Sequence, residues 1–387
     1  MSGRFGLRRD AAAPAGSGAM GWLWEADFFV KNMLQQEGWH APVFALVAGC
    51  ALLTAVGASL ALLVAARSVP EAACVVRKLV MIKDGALQMM LSKDKKWAKL
   101  PDAADARIPP GARCKTIIYI RHGESDWNEV FNRGFGADFP GRLFAALVRE
   151  LRLLVTGDSV FFDSSLSDTG IAQSLELADA LRDDASTGTS DTLKILAGKG
   201  SLPSVVTCSN LRRSMETALI GLTKRFELTE EPLHVLTALQ EVTVNVDGIP
   251  LAEKHAVPEF GANVAQYFPK SFKSSNPSGS FDVSMNTGNK PVDSNGLKRM
   301  MSFLAWAFER PEACIVVAGG HSLYFRFLMR TFLPGSSTFQ GKSRKLSNAG
   351  VVRFDMYEGE LGAGSSPAQR MYVIDEQSLQ VAFGGFQ

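Results

Sequence analysis

The chain has 387 residues, 46% of them hydrophobic and 21% charged, with a formal net charge of +2. This composition supports one large globular domain or two ordinary ones and excludes a disordered or collagen-like chain; the near balance of charge gives no global field for nucleic acid. Five cysteines (Cys50, Cys74, Cys114, Cys208 and Cys314) form no C-x-x-C pair, and the last two lie in apolar strand-like runs, which argues against a disulfide framework or a zinc site.

Residues 1–40 read as a tail, basic at Arg4, Arg8 and Arg9 and aromatic around Trp22, Trp24, Phe28 and Phe29. Residues 41–66 contain no charged residue. At about 1.5 Å per residue such a helix exceeds the roughly 30 Å hydrocarbon core, which predicts a single transmembrane helix. Ala51, Ala55 and Ser59 place small residues on one of its faces, a spacing that permits a homodimer through this helix. Arg67, Arg77, Lys78 and Lys83 follow the span, against Lys31 alone comparably close before it, and this bias puts the C-terminal part in the cytosol of a membrane whose organelle is not readable.

Residues 67–113 read as a basic juxtamembrane stalk and linker. Basic and apolar residues alternate over 75–100, which fits either a stretch lying on anionic headgroups or a solvated, partly helical stalk. The globular domain is expected over 114–387.

The apolar run 116–120 predicts a buried strand, followed at once by Arg121-His122-Gly123-Glu124-Ser125-Asp126-Trp127-Asn128. Arg121 and His122 thus sit at a strand's carboxyl end, where open α/β sheets bind ligands. Residues 139–155 are amphipathic at helical spacing, and a second helix opens at Ser167-Asp168 and runs to about Leu181. A strand over 204–209 leads into a helix over 211–224. Arg212 and Arg213 fall in its first turn, where the helix dipole and backbone amides already favour an anion. A short strand over 234–239 ends in Gln240-Glu241. Residues 270–291, rich in Ser, Asn and Gly, read as a mobile insertion. A helix over 295–308, a buried strand over 314–318, the turn Gly319-Gly320-His321-Ser322 and a helix over 323–332 follow, with closing strands over 351–356 and 371–374.

Strands alternate with helices, so the fold class expected is α/β, a three-layer α/β/α sandwich with a mostly parallel sheet, preceded by the transmembrane helix. Parallel strands present their carboxyl ends on one edge, where Arg121, His122, Arg213, Glu241 and His321 converge. Two guanidiniums and two imidazoles around one point match the oxygens of a phosphoryl group, and a carboxylic acid beside them suits protonation of a leaving alkoxide.

Residues 116–128 resemble the signature of the histidine phosphatase superfamily, which includes cofactor-dependent phosphoglycerate mutases and many phosphatases. The stretch Asp163-Ser164-Ser165-Leu166-Ser167-Asp168-Thr169-Gly170 with Gln173, then Ser209-Asn210-Leu211-Arg212-Arg213-Ser214-Met215-Glu216-Thr217-Ala218, Leu239-Gln240-Glu241 and residues 316–321 resemble further motifs in that family's order. The resemblance implies a phosphohistidine mechanism without metal or cofactor: His122 as nucleophile, Arg121, Arg213 and His321 on the phosphate, Glu241 as proton donor, and Asn128 and Ser125 touching substrate. It implies a phosphorylated partner, small molecule or protein; the uncharged run adds the lipid bilayer as a partner, and the balanced charge argues against nucleic acid.

Two departures shape the expectation. The mutases follow the first motif with a short glycine-tryptophan segment and the acid with arginine-tyrosine-glycine, whereas here residues 132–162 are a long insertion and Val242-Thr243-Val244 follows Glu241. A membrane-held phosphomonoester hydrolase is therefore expected, with a phosphoglycerate-type mutase and a catalytically silent phospho-ligand-binding scaffold as alternatives. Asp247 and Glu253 stand as substitutes for Glu241.

Overall fold

The computed structural model describes residues 40–96, 111–182, 190–273, 280–360 and 370–387. The expected tail therefore lies outside the described residues, as do 97–110 of the expected linker. The chain divides into two compact units, Met1–Val69 and Pro70–Gln387.

In the first unit, helix α1 spans His40–Ala65. Its Ser59 hydroxyl donates to Ala55 O of the preceding turn at 2.8 Å. Among the described residues no helix is long and apolar enough to cross a membrane. The side chains of most of the first half of α1 lie outside the described set, and the remainder, 51–65, is shorter than the roughly 30 Å a span needs.

The second unit opens earlier than the expected boundary at Cys114. Helix α2, Pro70–Leu91, belongs to it and is not a free stalk. Lys78, Met81, Gly85 and Gln88 recur at helical spacing and are buried. Lys78 Nζ donates to Leu153 O at 2.6 Å and to Glu150 at 3.3 Å, and Gly85 leaves so little room that an added Cβ would lie 2.8 Å from Val246.

Strand β1, Arg113–Arg121, alternates faces: Ile118 and Ile120 enter one core, Ile117 and Tyr119 the other. After it come α3 (Asp126–Phe131), α4 (Phe139–Leu153) and α5 (Asp168–Ala180). Ser125 and Ser167 cap α3 and α5 by accepting from Asn128 N and Gly170 N. Then follow β2 (Ser204–Ser209), α6 (Arg212–Gly221), β3 (Leu233–Leu236), β4 (Phe281–Asp282), α7 (Gly296–Glu309), β5 (Cys314–Gly320), α8 (Ser322–Phe332), β6 (Val351–Glu360), β7 (Arg370–Ile374) and β8 (Gln380–Phe383). The sheet order is β4-β3-β2-β5-β1-β6-β7, with β8 also on β6. The pairs from β4 to β1 are parallel, and β6 pairs antiparallel with β1, β7 and β8. The fold is thus mixed α/β, with a central sheet whose two faces are covered by helices: residues of α5 and α6 fill one core, residues of α7 and α8 the other.

Residues 270–291 depart from the expected mobile insertion. Residues 274–279 lie outside the described set, but β4 extends the sheet beside β3, and Asn286 and Lys290 are buried. Polar composition misleads here because these polar groups find partners inside: Asn286 donates to Ala256 O at 2.7 Å and accepts from Asn210 at 3.0 Å.

Gly123 and Gly170 press together at the site's edge. A Cβ on Gly170 would lie 1.9 Å from Glu124 O. Gly-to-Ala in a helix normally stabilises by about 0.5–1 kcal/mol. Gly170→Ala is expected to do the opposite, costing about 3 kcal/mol in denaturant unfolding because two backbones must separate. Gly136→Ala, with open space around it, is expected to change little.

Candidate active site

The strands β3, β2, β5 and β1 are neighbours and parallel, so their carboxyl ends share one edge. That edge brings His122, Arg213, Glu241 and His321 together from four separate stretches. His122 follows β1, and its backbone N–H donates to Gly320 O at 2.8 Å, which locks the two histidine-bearing ends to each other. The rings of His122 and His321 have centroids 5.2 Å apart.

His122 Nδ1 lies 2.5 Å from Gly123 O. A carbonyl only accepts, so Nδ1 carries the proton and Nε2 keeps its lone pair. Asn348 Nδ2 donates to His122 O at 3.0 Å, a second restraint on the same residue. Burial, then the charges of Arg213 and Arg121, hold His122 well below the usual imidazole range, against a smaller opposing effect of Gly123 O. The neutral form is thereby favoured.

His321 is fully buried, with Nε2 2.7 Å from Ser209 Oγ and Nδ1 without a protein partner. Burial and Arg213 lower its pKa in the same sense. Its peptide is clasped by Tyr119, whose hydroxyl accepts from His321 N at 2.7 Å and donates to His321 O at 2.9 Å. Gly319, at φ +71°, allows the turn: a Cβ there would meet Ser214 O at 2.2 Å.

Arg213 opens α6 and is 2% exposed. Its guanidinium donates to Asp247 O at 2.9 Å and lies 3.3 Å from Asp247 Oδ2, while Asp247 Oδ1 has no partner. Arg212 points elsewhere, donating to Asp163 O at 2.7 Å, Ser159 O at 2.8 Å and Asp158 at 2.5 Å, so it braces the segment before α5. Arg121 donates to Leu346 O, and its Nε is buried without a partner; burial moves its pKa down to about 10.

Glu241 follows β3 and its short 3-10 turn. Its Oε1 accepts from Val242 N and Tyr324 N, both at 2.9 Å, and Oε2 accepts from Leu323 N at 3.4 Å. The carboxyl thus rests on the N-terminal turn of α8. Burial raises its pKa, opposed by Arg213 and these amides. Asp247 is raised by burial and opposed by Arg213. Glu253 is exposed, away from such an environment.

No family model matches the chain, and no curated protein does. Among solved structures, one described as mycobacterial hydrolase 1 is 16% identical, covering 68% of this chain and 97% of its own at a TM-score of 0.32. A mycobacterial glucosyl-3-phosphoglycerate phosphatase in complex with VO3 is 15% identical, with 67% and 98% covered and a TM-score of 0.30. An ecdysone phosphate phosphatase from Bombix mori, in complex with tungstate, is 13% identical, with 66% and 92% covered and a TM-score of 0.31.

Two expected substrate contacts are placed differently. Ser125 is fully buried, with its hydroxyl engaged as the cap of α3. Asn128 is half-buried, and its Oδ1 accepts from Asn132 at 2.7 Å.

The residues that sequence reading passes over form a layer behind the acid. Lys290 Nζ donates to Glu241 O at 2.6 Å and Thr243 O at 2.7 Å, and Arg299 reaches Gln240 O and Glu241 O. Both cations meet Asp94, which lies just beyond α2. No local signal marks this cluster, since its members are scattered between positions 94 and 299.

Proposed function

We propose that this chain is a phosphomonoester hydrolase that works through a phosphohistidine intermediate and is held at a membrane. The observation that supports it most is His122: a buried neutral imidazole with Nδ1 committed to Gly123 O, facing His321 and influenced by both Arg121 and Arg213. A pocket that only binds phosphate needs the arginines but has no use for a prepared nucleophile.

In this reading His122 Nε2 attacks phosphorus, forming a P–N bond as the bond to the ester oxygen breaks. Arg121, Arg213 and His321 take the phosphoryl oxygens and hold charge as it shifts. Glu241, protonated more readily than an ordinary glutamic acid because it is buried, gives its proton to the departing alkoxide. A water then attacks phosphorus, Glu241 takes the water's proton, the P–N bond breaks and orthophosphate leaves.

The membrane part rests on the uncharged run 41–66 and on α2, which follows it closely and exposes Leu79, Val80, Ile82, Met89 and Met90 beside Lys83. The full chain in detergent, given phosphorylated proteins, sugars, nucleotides and glycerates, is expected to release orthophosphate from at least one class. Transfer between glycerate positions favours the mutase, and tight binding without turnover favours the scaffold. In cell fractions the chain is expected to stay in the membrane pellet through alkaline carbonate; its release into the supernatant rejects a spanning anchor, and protease access to tags at each end decides whether the catalytic part is cytosolic.

A further inference from the structure

We propose that Asp94, upstream of the catalytic sheet, is a positioning residue for the proton donor Glu241. The inference rests on the reading of Glu241 as that donor.

Asp94 is 1% exposed, and its carboxylate is the meeting point of two buried cations. Lys290 Nζ lies 2.7 Å from Oδ2, and Arg299 Nη2 lies 2.8 Å from Oδ1 and 2.9 Å from Oδ2. Asp94 Oδ2 also accepts from Thr243 N at 3.0 Å. The same cations grip the acid turn by its carbonyls, Lys290 at Glu241 and Thr243, Arg299 at Gln240 and Glu241. Toward the acid turn, the hydrogen bonds of these three side chains end on the backbone of residues 240–243, and among the described residues none of them reaches the Glu241 carboxyl, although the Lys290 charge opposes the rise in its pKa. The layer therefore holds the acid in place through its backbone.

Helix α2 extends the same hold. Gln88 Nε2 donates to Thr243 O at 3.3 Å, and Gly85 closes on Val246, next to the Asp247 that pairs with Arg213. Two like charges buried side by side are tolerated only with an anion between them. Burial already brings Lys290 down to about 8, with Arg299 adding to the shift and Asp94 opposing it. Without Asp94, Lys290 and Arg299 are left side by side without their shared anion, their hold on the carbonyls of the turn weakens, and Glu241 loses its fixed aim.

The test exploits what a general acid does. An alkyl phosphate needs its leaving oxygen protonated, whereas a nitrophenyl phosphate expels a stable phenolate without help. In the full-length protein, Asp94→Asn is expected to lower kcat/KM by about 100-fold on the alkyl ester and by less than about threefold on the nitrophenyl ester. Glu241→Gln is expected to show the same split, and orthophosphate affinity is expected to hold in both. An equal loss on the two esters, or no loss on either, overturns the proposal. If Asp94→Asn does not fold, Lys290→Met is read in the same way, since it removes the grip on Glu241 O and Thr243 O while leaving Arg299 paired with Asp94. A split in Glu241→Gln that is missing from Asp94→Asn and Lys290→Met rejects the positioning role alone. A Glu241→Gln variant without the split rejects the donor assignment, and the positioning role with it.

Discussion

Replacing His122 with alanine is expected to reduce orthophosphate release by about 10⁴-fold or more, because the substitution removes the atom proposed to form the P–N bond. The effect should fall on kcat. The proposed phosphate site of Arg121, Arg213 and His321 is otherwise intact, so orthophosphate is expected to compete for it still. Acid-labile label should be trapped on the native chain after quenching with a radiolabelled substrate, and none on His122→Ala. A residual rate within about 100-fold of the native one means that another group attacks phosphorus.

Arg213→Met is expected to lower kcat/KM by about 10³-fold, the scale for losing a preorganised cation at a developing charge. It also has a pH signature. Arg213 is second only to burial in depressing both His122 and His321, so in the native protein the nucleophile stays neutral as pH falls through 6.5. Without Arg213 both imidazoles protonate at higher pH, and the acid limb of kcat/KM moves toward neutrality. Stability responds differently: a histidine held low in the folded state contributes stability that is present above about 6.5 and is lost as pH falls below it, and in the variant this loss starts at the same pH, set by the unfolded chain, but is smaller and ends at higher pH. Arg213→Met also leaves Asp247 buried without its cation, so thermal stability should drop; adding Asp247→Asn is expected to restore stability but not activity. Recovery of activity in the double variant assigns the phosphate clamp elsewhere.

The parts of the site that were legible in the sequence are those encoded locally. Ile117 to Ile120 alternate between two cores, so the strand before His122 declares itself, and a parallel arrangement then fixes where its end must lie. Arg212 is consumed by Asp158, Ser159 and Asp163, which leaves Arg213 as the arginine of this pair whose charge acts on His122 and His321. Ser125 carries a further local signal: a serine directly before the helix opening at Asp126 is a capping pattern, and its hydroxyl accepts from Asn128 N. Residues 270–291 misled by composition, because Ser, Asn and Gly suit a loop when solvated but serve equally as buried donors and acceptors once partners surround them.

Sequence alone determined the strands that precede His122 and His321, the order of the chemical groups along the chain and the uncharged run at 41–66, because each is set by residues within a few positions of one another. Only tertiary structure decided that α2, expected either on anionic headgroups or as a solvated stalk, packs within the second unit, and that Asp94 sits 2.7 Å from Lys290. The physical reason is range. A carboxylate beyond α2, a lysine from a Ser/Asn-rich segment and an arginine on α7 acquire meaning only when folding brings two buried cations to one anion, and no periodicity in the chain records that meeting.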